Sequence, residues 1–321
     1  MAQRLCKHNF YTKKGELEVM SAMAKEVAGA KKAPSKERVA WLFLAPHLII
    51  FTIFFLIPVV FGIYVSFTDW NLFNTPTFVG FDNYNKLFFD SSSIFYEQLR
   101  IGLINTFTFV VLAVPFCIAV PLTLAIALNA KPWFGKIFQS IFYVPGLFAI
   151  SAVAIIWTLV FNVNYGPVNV LLDSSTPWLS TQPYAWAVVV ITTVWWTIGA
   201  NMIIYQAALN AVPKDLFEAA DIDGANSVQK FFRISLPQIR GPILYTVVMT
   251  TISQFNIFGQ ADMLTKGGPN NSTRVLLMYI RQTAFGQGQS IAGMASAMAI
   301  ILGLCIMAVS IVQFRLLKAR D

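Results

Sequence analysis

The sequence predicts an all-α membrane protein that crosses the bilayer six times. Composition is the first observation: 56% of the 321 residues are hydrophobic and only 12% are charged. A soluble chain of this length needs more polar surface to stay dispersed. The second is a set of stretches without Asp, Glu, Lys or Arg: Val39–Phe67, Ile101–Asn129, Ile137–Phe161, Tyr184–Leu209, Ile243–Phe258 and Ile291–Phe314. Five exceed the roughly 20 residues a helix needs to span the hydrocarbon core. The fifth extends into flanks past Gln238 and Gly259. The third is where the cations fall. With the N-terminus cytoplasmic, the inner segments hold nine Lys/Arg in the tail, two in the second loop, four in the fourth loop and three at the C-terminus; the outer segments hold five. That asymmetry orients the chain by the positive-inside rule. The formal charge of +8 is thus topological and argues against nucleic acid as a partner.

The predicted elements follow in order. Residues 1–38 form a cytoplasmic tail without the continuous apolar core of a signal peptide. Within it Leu17, Met20, Ala24 and Val27 could line one helix stripe, resting on the membrane or a neighbour. The remainder, 39–320, carries spans at about 39–67, 101–129, 137–161, 184–209, 240–262 and 291–314. After the first span, "VSFTDWNLF" opens an outer loop in which Trp70, Phe78, Phe81 and Tyr84 suit an interfacial aromatic belt. Pro115 and Pro121 imply kinks in the second span that neighbouring helices must accommodate. Pro145-Gly146 predicts a break in the third. The fourth follows "STQPYAW", the fifth leads to "LTKGGPNNST", and the sixth holds "GMASAMAIILG", whose small residues allow close helix packing.

No catalytic or metal-binding constellation emerges, so the chain reads as a non-enzyme. Cys6 lies in the tail, Cys117 and Cys305 lie within spans, and the two histidines, His8 and His47, are far apart. There is no phosphate-binding Gly-x-x-x-x-Gly-Lys-Ser/Thr loop. Asp221-x-Asp223-Gly224 starts like a calcium loop, but the later ligands are missing. Ion-coupled transporters place Asp, Glu, His or Arg inside the membrane, and within the charge-free stretches only His47 is available. A transporter of this composition therefore takes its energy from elsewhere. The competing class is a stand-alone ion-coupled secondary transporter or channel.

Residues 213–237 are neither lipid-like nor loop-like. Pro213 suits a helix first turn, with Asp215 and Glu218 near its positive end. Gly224 supplies a turn, Asn226 or Ser227 can cap a second short helix, and Leu236-Pro237 stops it. The result is a helical hairpin on the basic side, whose Phe217, Phe231 and Phe232 should insert into a partner's groove.

"EAADIDGANSVQKFFRISLP" fits Glu-Ala-Ala, three residues, Gly, nine residues, Ile-x-Leu-Pro without a gap. It resembles the EAA coupling loop of ATP-binding cassette importer permeases. "SFTDW", "FVGFDNY" and "LTKGGP" resemble the carbohydrate, maltose-type branch of that family, and the likeness covers about residues 38–320. The resemblance implies the type I importer, MetI-like fold, in the cytoplasmic membrane of a bacterium with both termini cytoplasmic. It implies a second homologous permease as heterodimer partner, two ATPase subunits that use ATP and Mg, and an extracytoplasmic solute-binding protein. The chain itself would bind no cofactor. Glu218, Ala219, Ala220, Asp223 and Gly224, with Phe217 and Phe231, are carried over as the ATPase contact, and Gly267, Gly268 and Pro269 as a binding-protein contact.

The solute path is read from one helix face. Thr246, Thr250, Ser253, Gln254 and Ile257 recur at i, i+4, i+7, i+8 and i+11, and uncharged hydrogen-bonding groups suit sugar hydroxyls. By resemblance Thr250, Gln254 and Ile257 fall near sugar-contacting positions of the maltose permease, and Asn256 is counted with them. Trp196, Thr197 and Asn201 in the fourth span are either sugar contacts or polar glue between helices.

Overall fold

The computed structural model describes residues 36–286 and 291–318. The predicted N-terminal stripe lies outside them. The chain divides into two units, residues 1–61 and 62–321. In the first, the described residues form a helix, α1 (Lys36–Phe51), followed by a π-helical turn, Thr52–Leu56, and the start of α2 (Ile57–Ser66). Pro58 has no N–H to give to the carbonyl four residues back, and the widened turn falls where that bond is lost. Ala40–Ser66 is long and apolar enough to cross a membrane.

The second unit is built around α4 (Ile94–Asn129), a single 36-residue helix. It starts before the charge-free stretch because Ser93 caps it, accepting from the Phe95 N–H, and Glu97 and Arg100 occupy its first turns. Three apolar clusters lie along it. Leu99 and Val110 pack with Leu276, Met294 and Met298; Phe109 and Ala113 with Val189, Ile257 and Val275; Ala125 and Leu128 with Met202, Tyr205 and Ile239. Their partners come from α8 (Tyr184–Asn210), α12 (Arg240–Phe255), α14 (Leu276–Phe285) and α15 (Ala292–Lys318).

Between α2 and α4, a two-stranded antiparallel ladder, β1 (Thr68–Asp69) with β2 (Thr77–Phe78), leads to α3 (Asp82–Phe88). Asn83 of "FVGFDNY" donates its amide to the carbonyls of Ser66 and Thr68, both at 2.9 Å. A Cβ on Gly293 would lie 1.8 Å from the Thr68 oxygen, so only glycine lets α15 approach so closely. These motifs fasten the end of α2 to α15. Of the predicted aromatic belt, Phe78 and Phe81 are exposed, whereas the Tyr84 hydroxyl lies 2.8 Å from Ser66 Oγ.

The third span is broken as predicted. The helix α5 (Gly135–Tyr143) runs into a 3₁₀ turn, Val144–Leu147, and α6 (Ile150–Val160) leaves at 106°. The short α7 (Pro167–Leu171) follows. In that loop, buried Asn169 donates to the carbonyls of Val163 and Thr176 and accepts from Ser174 and Trp178. The fifth span departs from expectation. Instead of one helix over 240–262, α12 ends at Phe255 and α13 (Gly259–Leu264) restarts after residues 256–258. Among the described residues, four helices are long and apolar enough to span, or five with the bent pair. In the second span, Pro115 and Pro121 lie inside the continuous helix α4.

Candidate functional site

The segment after α8 folds as a hairpin. The first arm, α9, is Lys214–Ile222, with Pro213 as its N-cap residue rather than in its first turn. It ends in a paired closure: Ala225 N–H donates to Ala220 O at 2.9 Å and Gly224 N–H to Asp221 O at 3.1 Å. Gly224 sits at φ +73° with open space where a Cβ would be. This left-handed C′ geometry favours glycine for conformational, not steric, reasons. Asn226 then caps α10 (Ser227–Lys230), accepting from the Gln229 N–H while the Gln229 side chain accepts from the Asn226 N–H. Lys230 pairs with Asp221 across the hairpin. Pro237 does not stop the second arm. It continues through a π-helical turn, Phe231–Ser235, and α11 (Leu236–Gln238) to a break at Ile239. Glu218, Ala219, Asp223 and Gly224 are exposed and Ala220 is half-buried.

Deep between α4, α8 and α12 lies a polar cluster. Asn201 Nδ2 donates to the Cys117 carbonyl and to Thr250 Oγ1, both at 3.0 Å. Four residues after Cys117 stands Pro121, which has no N–H for that carbonyl. Asn201 thus supplies the donor the proline lacks. Gln254 Nε2 and Thr197 Oγ1 lie 3.9 and 3.8 Å from Cys117 Sγ. Further along, the hydroxyls of Tyr205 and Thr246 are paired, both fully buried.

Beside this cluster opens a cleft of about 230 Å³, lined by Ile150, Trp196, Thr197, Ser253, Gln254 and the turn Asn256–Gln260. Trp196 and Thr197 also border a neighbouring cleft of about 220 Å³ with Tyr143, Gly146 and Leu147. Both clefts sit at helix breaks. The Trp196 indole N–H donates to the Phe148 carbonyl in the bend at 3.1 Å, and Gly259 presses on Ile150 so closely that a Cβ would stand 3.0 Å from its side chain. Of the lining residues, Phe258 has the Arg281 guanidinium 5.0 Å over its ring, and Arg281 lies 3.5 Å from Asp262. A cavity of about 850 Å³ lies elsewhere, against Asp69, Asp82, Lys86 and Asp90.

The "LTKGGPNNST" segment is a tightly bonded turn. Gly267 stands at φ +81°. Thr273 donates to the Gly268 carbonyl at 2.7 Å, and Asn105 of α4 donates to the carbonyls of Asn271 and Arg274. Gly267 is buried, and Gly268 and Pro269 are half-buried.

Residues 102–320 match the family described as binding-protein-dependent transport system inner membrane component. The chain belongs to this family. The permease is 34% identical over 284 residues to the probable ABC transporter permease protein YesP of Bacillus subtilis (strain 168), covering 86% of this chain and 89% of that one. It is 34% identical over 283 residues to the probable starch degradation products transport system permease protein AmyD of Thermoanaerobacterium thermosulfurigenes, covering 88% and 94%. Its fold matches that of a chain in the bacterial alginate ABC transporter, solved in complex with an alginate pentasaccharide-bound periplasmic protein. That match has a TM-score of 0.73 at 23% identity and covers 87% of the permease and 93% of that chain.

The sequence-predicted residues of the permease fall into two groups. Trp196, Thr197, Ser253, Gln254 and Asn256 meet at the cleft. Asn201 and Thr250 are bonded to one another inside the helix packing, and Ile257 lines the cleft while also belonging to a core cluster. In the hairpin, Phe217 packs against the core beside Leu209 and Val212, and Phe231 is half-buried against Phe232. The apolar side chains that project are Ile222, Val228 and Phe232, at 88%, 64% and 59% exposure. Two residues escaped the sequence reading. Ile222 was hidden between aspartates in "DIDG", where its isolation among charges was the available signal. Gln260 lies past the end of the helix face that was counted.

Proposed function

We propose that this permease forms one half of the translocation pathway of an ATP-driven importer for a sugar, oligosaccharide or sugar derivative. A second homologous permease supplies the other half, two separate ATPase subunits hydrolyse ATP with Mg, and an extracytoplasmic binding protein delivers the solute. The six-span reading counts α12 and α13 as one interrupted span, with both termini cytoplasmic by the cation asymmetry. No cofactor is assigned to this chain. The observation that carries the proposal is the hairpin. Glu218, Ala219, Ala220, Asp223 and Gly224 are presented by a turn fixed by two backbone bonds and a capping box, and three bare apolar side chains project from it. A membrane protein does not expose such a rigid, half-apolar knob to water without a partner. The carbohydrate assignment draws support from the relative named for starch degradation products and from the uncharged polar cleft. Gly267, Gly268 and Pro269 remain the proposed contact for the binding protein, on a turn rigid enough to present one.

The test is co-purification from native membranes with mass spectrometry of the associated chains, before and after Ile222→Asp together with Phe232→Asp. The expected result is an ATPase pair and a second permease with the parent chain, and loss of the ATPases alone from the variant. An intact ATPase complex in that variant refutes the hairpin's role. ATP-free uptake driven by a sodium or proton gradient in reconstituted vesicles would instead establish the ion-coupled alternative.

A further inference from the structure

The inner turn of residues 130–134 and the helix α5 carry an apolar face that neither the hairpin nor the cleft uses. Phe134, Ile137, Phe138 and Ile141 share one side, while Lys136, Gln139, Ser140 and Tyr143 share the opposite one. The far end of α5 is packed: Phe142 joins the cluster of Met202 and Tyr205, and Gly199 lets α8 meet the Tyr143 backbone. The apolar side before it is bare. Trp133 and Phe134 are 89% and 69% exposed, and Ile137, Phe138 and Ile141 are exposed as well. Helix α6 departs at 106°, so α5 runs across its direction. α6 carries no charge and suits hydrocarbon, whereas α5, with opposed polar and apolar faces, suits the boundary between headgroups and acyl chains.

A groove of about 480 Å³ follows that boundary. Lys136 and Ser140 form one wall, and Ile137, Ile141 and Val144 form the other. The Ser140 hydroxyl is spent within the helix, donating to the Lys136 carbonyl at 3.0 Å, so the polar wall offers an ammonium as its free donor. Among the described residues, neither Lys136 nor Lys131 in the preceding turn pairs with a carboxylate. Both lie on the side that the cation asymmetry places in the cytoplasm. Unpaired lysines there, beside a bare Trp and Phe, complement the anionic lipid of that leaflet in both charge and polarity. Lysine is depleted from the cores of protein interfaces, and here it lines the groove itself, which favours lipid over a protein partner.

We propose that the elbow of residues 131–144 binds an anionic glycerophospholipid of the cytoplasmic leaflet. Lys136 holds the phosphate, Lys131 adds to the positive field around it, and the acyl chains lie along Ile137 and Ile141. The proposal rests on the cation asymmetry and not on the identity of the solute. It is tested on the permease in the complex that co-purifies with it, reconstituted in vesicles of phosphatidylcholine and phosphatidylglycerol and extracted for native mass spectrometry. Phosphatidylglycerol should be retained in preference to phosphatidylcholine. Lys136→Gln should lower that retention about five-fold, the usual weight of one lysine at an anionic surface, and Lys136→Arg should keep it. Ile141→Trp, which fills the groove with both lysines intact, should lower it too. A benzophenone side chain placed at Ile137 should cross-link to phospholipid on illumination. Equal retention of the two lipids by the parent overturns the proposal, as does a Lys136→Gln variant that keeps phosphatidylglycerol at the parent level. Cross-linking from Ile137 to another protein chain, in place of phospholipid, makes this face a subunit interface and overturns it as well.

Discussion

Replacing Asn201 with Leu tests whether this amide is structural or touches solute. Its Nδ2 group holds the Cys117 carbonyl and Thr250 Oγ1 at 3.0 Å each. The carbonyl matters most, because Pro121 cannot donate to it and the bilayer offers no water to substitute. An acceptor left bare when its partner is removed costs roughly 1–3 kcal/mol, while interhelical bonds measured in membranes average about 0.6 kcal/mol. The two bonds together predict a loss of about 1–4 kcal/mol. Equilibrium unfolding in mixed micelles should resolve it. The decisive arm is a double-mutant cycle with Pro121→Ala, which restores a backbone donor to the Cys117 carbonyl. In that background Asn201→Leu should cost about 1–2 kcal/mol less, a coupling within the usual range for interacting groups. Equal costs in the two backgrounds refute the substitution argument. A fully stable Asn201→Leu variant that has lost only solute uptake would return Asn201 to the solute path.

Three further outcomes are expected. Gly224→Val should strain the hairpin turn by about 1–2 kcal/mol, because φ +73° disfavours a Cβ, and should weaken ATPase co-purification; Gly224→Asn, which tolerates the left-handed region, should do so much less. Gly293→Ala places a methyl against the Thr68 carbonyl and should destabilise by about 1–3 kcal/mol, whereas Gly303→Ala, with open space around it, should leave the melting temperature unchanged. Gly259→Val should push Ile150 away and cut uptake, and Ile150→Ala in the same chain should restore part of it; a Gly259→Val variant that transports normally breaks the link between the two helix breaks.

Much of this was legible because bilayer chemistry is coarse. Charge-free runs of helix length mark spans whatever their packing, and so α8 and α15 lie within a few residues of the expected bounds, while α4 ends at the expected Asn129 but starts earlier, at Ile94. The hairpin turn was legible for a local reason: a glycine after a helical run, followed by Asn and then by Gln three residues on, spells both the C-cap and the next capping box. The break after Phe255 was not, since "NIFG" carries no proline and lies inside an apolar run. Side-chain depth was equally hidden. Helical spacing groups Thr250, Ser253 and Gln254 on one face, but it cannot say that Asn201 would reach across to Thr250 because a proline on a third helix needed its other donor.

That last dependence explains where the cleft lies. Hydrocarbon excludes irregular backbone unless protein covers it or it borders a cavity. Among the described residues, two such segments lie inside apolar runs, the bend of residues 144–149 and the turn 256–258. They converge: Gly259 packs on Ile150, Trp196 ties the bend to α8 through the Phe148 carbonyl, and Gly199 lets α8 approach Tyr143 so closely that a Cβ would stand 2.7 Å from its backbone. The glycines bring the broken segments together, and the polar groups of one turn, Asn256 and Gln260, open into the space between them. The cleft therefore occupies the place in these apolar helices where the backbone itself departs from regularity, beside close glycine contacts and the Trp196 indole bond.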